Sequence, residues 1–236
     1  MNTQIFAIVI AFLAYQVNST EIKSLRNIID EAEKQLKELK SIVQGNILAA
    51  HNNLKSLEYD FLSNSHNVIT QGVVLIQQES ETINDQIQSI KDLAHAAHKD
   101  ISFCTDIREE LLNRLPAEYG EQLRQCVFHL NREEANFVSE AKYVIDISFN
   151  KVHHLEHQFE QCNREILCIS PLLTEIQLDK IRLPQNIKTE VSTVESLLTS
   201  LKTSATQCSD NFVSQYTSDA NSILQVIISC ANRIIG

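Results

Sequence analysis

Apolar side chains recur along this chain at alternating intervals of four and three residues, the repeat of helices that pack lengthwise on one another. The longest series runs from Ile69 to Leu115 and is polar only at Ser80 and Arg108. Its members are Ile69, Val73, Ile76, Ser80, Ile83, Ile87, Ile90, Ala94, Ala97, Ile101, Cys104, Arg108, Leu111 and Leu115. The pattern predicts a coiled-coil-like helix that packs against a partner helix.

An earlier series of the same kind predicts a first helix from about Glu21 to Leu62. Its apolar positions are Leu25, Ile29, Ala32, Leu36, Leu39, Val43, Ile47, Ala50, Leu54, Leu57 and Phe61. Residues 63–67 (SNSHN) contain no apolar member and several good capping residues, so we expect a turn there. The second helix is expected over Val68–Leu115, and Pro116 is expected to end it.

Prolines also divide the second half of the chain. A third helix is expected from Pro116 to about Ile166, and a short one from Pro171 to Leu183, with Ser170 as its cap. A last helix is expected from near Asn186, and the polar stretch 216–222 is either a break or a patch on a continuing helix. The predicted fold is all-α: an elongated antiparallel bundle of long, disulfide-linked helices.

The first nineteen residues are typical of a secretory signal peptide. Residues 5–15 (IFAIVIAFLAY) are apolar and too few to span a bilayer, and small residues at a cleavage site follow them. Removal of residues 1–19 would leave a chain that starts at Thr20. The Asn18 sequon lies across this point, so no N-glycan is expected. The mature chain is predicted to consist of an N-terminal hairpin, 20–115, and a cysteine-containing region, 116–236.

Composition limits the classes of partner. The net charge is −10, without a lysine or arginine cluster, which argues against nucleic acid or anionic lipid as a partner. No second apolar stretch is long enough for a membrane span, since Gln225, Asn232 and Arg233 interrupt residues 223–235. Glycine (4) and proline (3) are scarce, so the chain has few places to turn.

Six cysteines in a secreted chain predict three disulfides, although fifteen pairings are possible. The residues are Cys104, Cys126, Cys162, Cys168, Cys208 and Cys230. Cys104 and Cys126 lie twelve and ten residues from Pro116, so a hairpin there would place them level; Cys162 and Cys208 stand similarly about Pro184. Cys168 and Cys230 can then pair only if the chain folds back near residues 216–222. Otherwise the pairing is different, or two thiols remain for a partner chain.

Few residues suggest chemistry. His153 and His157 are four residues apart on a predicted helix and are candidate zinc ligands, while exposed polar histidines are the commoner reading. No Ser/His/Asp order, glycine-rich loop or paired-carboxylate motif is present, and acidic neighbours such as Glu109 and Glu110 are typical of a solvated helix face. We therefore expect that the protein is not an enzyme and that it holds no cofactor and no resident metal.

The cysteine-containing half resembles the insect secreted proteins with a TsetseEP-type domain. The resemblance rests on the six cysteines named above and covers roughly the last 130 residues, and the chain lacks the Glu-Pro repeat tail of that family. It implies a non-enzymatic extracellular role in gut or other secreted fluid, with a link to immune response.

Three functions fit these observations. The first is a secreted, non-enzymatic protein, with a role in defence, that acts by binding an extracellular protein or by structural self-association. The second is a carrier of an apolar small molecule or lipid inside the bundle. The third is a secreted effector that binds microbial or host surfaces.

Overall fold

Three long helices make up the architecture. The structure, a computed structural model, describes the backbone of residues 3–236 and the side chains of residues 26–236. Helix α1 spans Thr3–Ala96, α2 spans Ser102–Gln161 and α3 spans Ile166–Ile235. Within these residues there is no strand, and the helices pack together as a bundle. The predicted all-α, disulfide-linked bundle is therefore confirmed.

The predicted signal peptide, residues 1–19, lies outside the residues whose side chains the structure describes. The same is true of the Asn18 sequon and of the predicted mature start at Thr20. Among the described residues, no helix combines the length and the apolar character that a membrane crossing requires.

The turn predicted at residues 63–67 is wrong, because α1 continues through it. Phe61, Ser65 and Val68 are buried at steps of four and three, so the apolar series continues with one small polar member. Ser63, His66 and Asn67 are exposed, where a helix tolerates polar residues, and Asn64 is partly buried. The predicted hairpin over 20–115 is thus one helix for most of its length.

The chain instead turns first at residues 97–101. His98 has a left-handed backbone (φ 53°), and the Lys99 N–H donates to the Ala94 carbonyl across 2.9 Å, which ends α1 in the way a glycine often does. The Asp100 carboxylate accepts from the Ser102 backbone N–H across 2.9 Å and caps α2. That bond, donated by the Ser102 backbone, lowers the pKa of Asp100.

All three prolines lie inside helices. Pro116 is within α2, and Pro171 and Pro184 are within α3, so none of them marks a helix boundary as predicted. An interior proline loses one backbone hydrogen bond. Buried residues close to the prolines, such as Leu112 near Pro116 and Leu183 next to Pro184, keep the helices packed there. The stretch 216–222 is also continuous helix.

The second turn lies between α2 and α3. Asn163 and Arg164 have positive φ angles of 46° and 66°, which reverse the chain without a glycine. The Glu165 N–H donates to the Cys162 carbonyl across 2.7 Å. A disulfide joins Cys162 to Cys168 across this turn.

The chain forms two compact units, and each contains a part of all three helices. Unit 1 comprises Met1–Leu54 and Ser139–Val194, and unit 2 comprises Lys55–Val138 and Glu195–Gly236. The core of unit 2 includes a cluster to which all three helices contribute: Ile76, Ile83, Ile87, Leu112, Tyr216, Ala220, Leu224 and Ile227.

In unit 2, paired side chains define the helix directions. The Lys91 ammonium bonds the Glu109 carboxylate (2.6 Å) next to the first turn, so α1 and α2 are antiparallel. Lys202 bonds Asp60, and Asn221 bonds Glu79, each pair 142 residues apart, so α1 and α3 run in the same direction.

In unit 1, the Lys180 ammonium bonds the Glu38 carboxylate (2.6 Å), again 142 residues apart, and ties α3 to α1. The Lys40 ammonium bonds the Glu156 carboxylate across 2.8 Å and ties α1 to α2.

The three predicted disulfide pairs are wrong. The structure joins Cys104 to Cys230, Cys126 to Cys208 and Cys162 to Cys168. Because α2 runs through Pro116, Cys104 and Cys126 lie on one helix, 22 residues and about 33 Å apart. Cys168 and Cys230 likewise both lie on α3, which does not fold back. Cys162 bonds a neighbour across the turn and is not available to Cys208.

Loss of the longest disulfide loop should cost the most stability. In the chain-entropy treatment, a loop of 126 residues contributes about 5 kcal/mol and a loop of 6 residues about 2 kcal/mol. Replacing Cys104 and Cys230 by alanine should therefore lower the free energy of unfolding more than the same change at Cys162 and Cys168, as measured in urea without reductant. Recovery of a Cys104–Cys126 peptide from a non-reducing digest would contradict this pairing.

Two glycines of α1 offer a matched test of the packing. A Cβ at Gly72 would lie 2.5 Å from the Leu123 Cδ2 and 2.6 Å from the Ser209 Oγ, whereas a Cβ at Gly45 meets nothing within 4 Å. Gly45→Ala should stabilise the protein by about 0.5–1 kcal/mol through helix propensity alone. Gly72→Ala should destabilise it by about 1 kcal/mol, because overpacking outweighs that gain. Thermal unfolding of the two variants measures both; equal stabilisation would show that the helices do not approach here.

Candidate functional site

An apolar stripe on the outside of α2 is the first candidate surface. Phe103, Ile107 and Leu111 follow one another at steps of four, so they lie on one face of the helix. Phe103 is 87 % exposed and Ile107 75 %. The stripe begins one residue after the start of α2, in unit 2.

The neighbouring side chains explain why this stripe faces outward. Ile101 and Cys104 are buried, and the Cys104–Cys230 disulfide ties this end of α2 to α3. Phe103 and Ile107 are turned away from these buried contacts and remain largely exposed to solvent. Apolar residues so exposed and in sequence along one face are typical of a surface that contacts another molecule.

The predicted apolar series is only partly correct at the start of α2. Its members Ile101 and Cys104 are buried, whereas Arg108 is partly exposed and Leu111 is exposed. Thr105 and Leu112 are buried in addition. The series runs through residues 97–101 without a polar member, so it did not predict the turn there. Asp100 followed by an apolar residue and Ser102 was the capping signal that could have revealed it.

A cavity in unit 1 is the second candidate site. It has a volume of about 710 Å³ and lies beside the turn between α2 and α3. Its apolar lining consists of Ile29, Phe159, Ile166 and Ile169. Charged and polar residues also line it: Arg26, Asp30, Glu33, Glu160, Asn163 and Arg164. The volume is within the range of small-molecule sites, roughly 300–1,000 Å³.

Ion pairs fix the helices of unit 1. Lys40 bonds Glu156 between α1 and α2, and the Lys40 ammonium lowers the pKa of the Glu156 carboxyl. The same carboxyl group bonds the His153 Nδ1 across 3.0 Å. Lys180 of α3 bonds both Gln35 and Glu38 of α1 at 2.6 Å. Because these pairs are partly buried, they hold the helix positions more firmly than exposed pairs would.

A buried carboxylate, that of Asp179, lies next to a further ion pair of unit 1. Lys151 of α2 bonds Glu175 of α3, and the Asp179 carboxylate lies 4.0 Å from the same ammonium. Asp179 is 6 % exposed. Burial raises the pKa of Asp179 despite the nearby Lys151 and Arg182, and Glu175 adds to the rise.

The two candidate zinc ligands do not belong to a metal site in the described part of the chain. His153 and His157 are both exposed, and His153 bonds Glu156 and packs edge-on against Phe149, with ring centroids 4.5 Å apart. Residues 26–236 contain no group of three or more histidine, cysteine, aspartate or glutamate side chains placed to hold a metal ion. All six cysteines are in disulfides.

Neither the cavity nor the exposed face of the stripe was predicted from the sequence. Phe103 and Ile107 fall between the predicted core positions, and a large apolar residue in that phase is a signal of an outward-facing patch. No comparable signal existed for the cavity, because Arg26 and Arg164 come together only when α1 lies against the α2–α3 turn.

Because the pKa of Asp179 is raised, removal of its carboxyl group should increase the stability of the fold by an amount that depends on pH. A carboxyl whose pKa is higher in the folded chain favours folding while it is protonated, and this contribution is lost as the pH rises through the folded-state pKa. Asp179→Asn should therefore be more stable than the parent at pH 7, and the difference should shrink as the pH falls towards 4. Urea unfolding across this range measures it. A variant less stable than the parent at pH 7 would show that the Lys151 contact outweighs burial.

Comparison of the chain with protein-family models, with curated proteins and with solved structures gave no match. The resemblance to the TsetseEP-type family, which rests on the cysteine spacing, therefore stays a prediction.

Proposed function

We propose that this chain is a secreted, non-enzymatic helical protein that acts by associating with other macromolecules in extracellular fluid. The observation that carries the proposal is the exposed apolar stripe of Phe103, Ile107 and Leu111. Large apolar groups in water cost free energy, about 25 cal/mol for each Å² that a partner could cover. A stripe of three such groups on a disulfide-anchored helix is therefore a surface on which a partner gains binding energy.

Three disulfides support an extracellular setting. Disulfides persist in oxidising compartments and are rare in the cytosol. The apolar segment at residues 5–15 supplies a route of export, and cleavage before Thr20 leaves all six cysteines in the mature chain. A net charge of −10 disfavours anionic surfaces as the partner and favours a protein.

The resemblance to the TsetseEP-type family supports a narrower proposal. It would place the protein in gut or other secreted fluid, in a role connected with defence. The link depends on the six cysteines alone.

Site-specific photo-crosslinking tests the proposed contact surface. The full chain, produced in secreting cells with a photoreactive phenylalanine analogue in place of Phe103, should be recovered from the medium as a chain that begins at Thr20. It is then irradiated in the secreted fluid of its source. We expect a covalent adduct at position 103 and none when the analogue replaces Thr199, an exposed residue of α3 in the same unit.

The mass of the adduct identifies the partner class: twice the chain mass indicates a second copy, and any other added polypeptide indicates a different protein. An excess of the parent chain should compete the adduct away, whereas a Phe103→Ser/Ile107→Ser chain should not. Equal labelling from positions 103 and 199, or competition by both chains, would overturn the proposal.

A further inference from the structure

The cavity in unit 1 is lined by apolar residues and by charged and polar ones. Phe159, Ile166 and Ile169 form an apolar wall, in which Ile169 is buried and the other two are half-buried. Three-helix packing normally fills its interior to crystal-like density. An opening of about 710 Å³ next to such a wall leaves apolar surface available to a ligand.

A disulfide and a backbone hydrogen bond hold the wall of the cavity in place before any ligand binds. The Cys162–Cys168 disulfide spans the turn with a Cα–Cα distance of 5.5 Å. The Asn163 N–H donates to the Glu160 carbonyl across 3.3 Å and closes the end of α2. A loop of 6 residues adds little to global stability in the chain-entropy treatment, only about 2 kcal/mol. The main effect of this disulfide is therefore local: it holds Arg164 at the cavity, so that little ordering free energy is lost on binding.

Charges of both signs stand at the cavity. Arg26 and Arg164 are cationic, while Asp30, Glu33 and Glu160 are anionic. The Lys37 ammonium bonds Glu33 across 2.7 Å. Lys37, and to a smaller extent Arg164, lower the pKa of Glu33, which indicates that the Arg164 guanidinium lies towards this rim. A ligand with one charge would meet repulsion from one of the two sets.

We propose that this cavity binds a single-chain zwitterionic amphiphile. The hydrocarbon chain lies against Phe159, Ile166 and Ile169, the anionic group pairs with Arg164, and the ammonium group lies between the Asp30 and Glu160 carboxylates. Guanidinium groups suit phosphate oxygens, and the two carboxylates suit the cationic ammonium. This site goes beyond the proposed function, because it uses unit 1 residues that have no part in the stripe of unit 2.

Four probes with the same eight-carbon chain separate the head group from the tail: octylphosphocholine, octanoate, octylamine and octyl glucoside. Binding to the full mature chain is followed by calorimetry and by amide chemical shifts, below the concentration at which the probes form micelles. We expect saturable one-site binding of octylphosphocholine, at least tenfold tighter than that of each other probe, with shifts confined to residues around the α2–α3 turn.

Three variants assign the contacts. Arg164→Asn retains a residue that tolerates the left-handed backbone and should weaken octylphosphocholine binding at least tenfold. Lys188→Asn, which removes an exposed cation of unit 1 outside the cavity, should leave it unchanged. Ile166→Trp places an indole ring in the cavity. It should abolish binding of all four probes, and the helix content should be retained.

Binding of a singly charged or neutral probe as tight as that of octylphosphocholine would overturn the proposal. So would binding that Arg164→Asn and Ile166→Trp leave unchanged, since it would reflect adsorption to exposed apolar surface elsewhere. Loss of the stripe by Phe103→Ser/Ile107→Ser should not alter probe binding, which keeps this result separate from the proposed association.

Discussion

Mutual burial of apolar faces is the interaction on which this structure depends. A single helix in water has no core and gains little from its own hydrogen bonds, so α1, α2 and α3 are stable only against one another. In unit 2 this is visible where Ile83 of α1, Leu112 of α2 and Leu224 of α3 share one cluster. The same constraint explains why Gly72 lies where a Leu123 methyl group comes within 2.5 Å of the position of a Cβ. The close approach of the helices leaves no room for a larger side chain.

The four–three periodicity was sufficient to predict the all-α class and many of the buried positions, but it did not predict where the helices begin and end. Each proline predicts a helix end, but the roughly 3 kcal/mol cost of an interior proline is outweighed when neighbours such as Leu183 and Ile187 are buried. The real turns use His98, Asn163 and Arg164 in left-handed conformations, and such residues carry no glycine-like signal. Each disulfide error followed from a turn error, since cysteine pairing depends on which helix carries which cysteine.

The candidate sites differ in how far sequence could reveal them. The stripe is local, and its residues could have been recognised once α2 was given the correct start at Ser102. The cavity is non-local: Arg26 and Ile29 come from α1, and Phe159 and Arg164 from residues more than a hundred positions later. Its polar surroundings, such as Lys40 with Glu156, are equally long-range. Only the three-dimensional path of the chain brings these groups together.

The disulfide spacings also impose an order on synthesis. At about 5–20 residues per second, Cys168 follows Cys162 by roughly a second or less, so this bond can form before Cys230 is available. Cys104 has to wait about 6–25 s for Cys230. During that interval the apolar face of α1 has emerged but its α3 neighbour has not. The nascent chain is then most exposed to aggregation, and a chaperone that covers the face of α1 would act in this window.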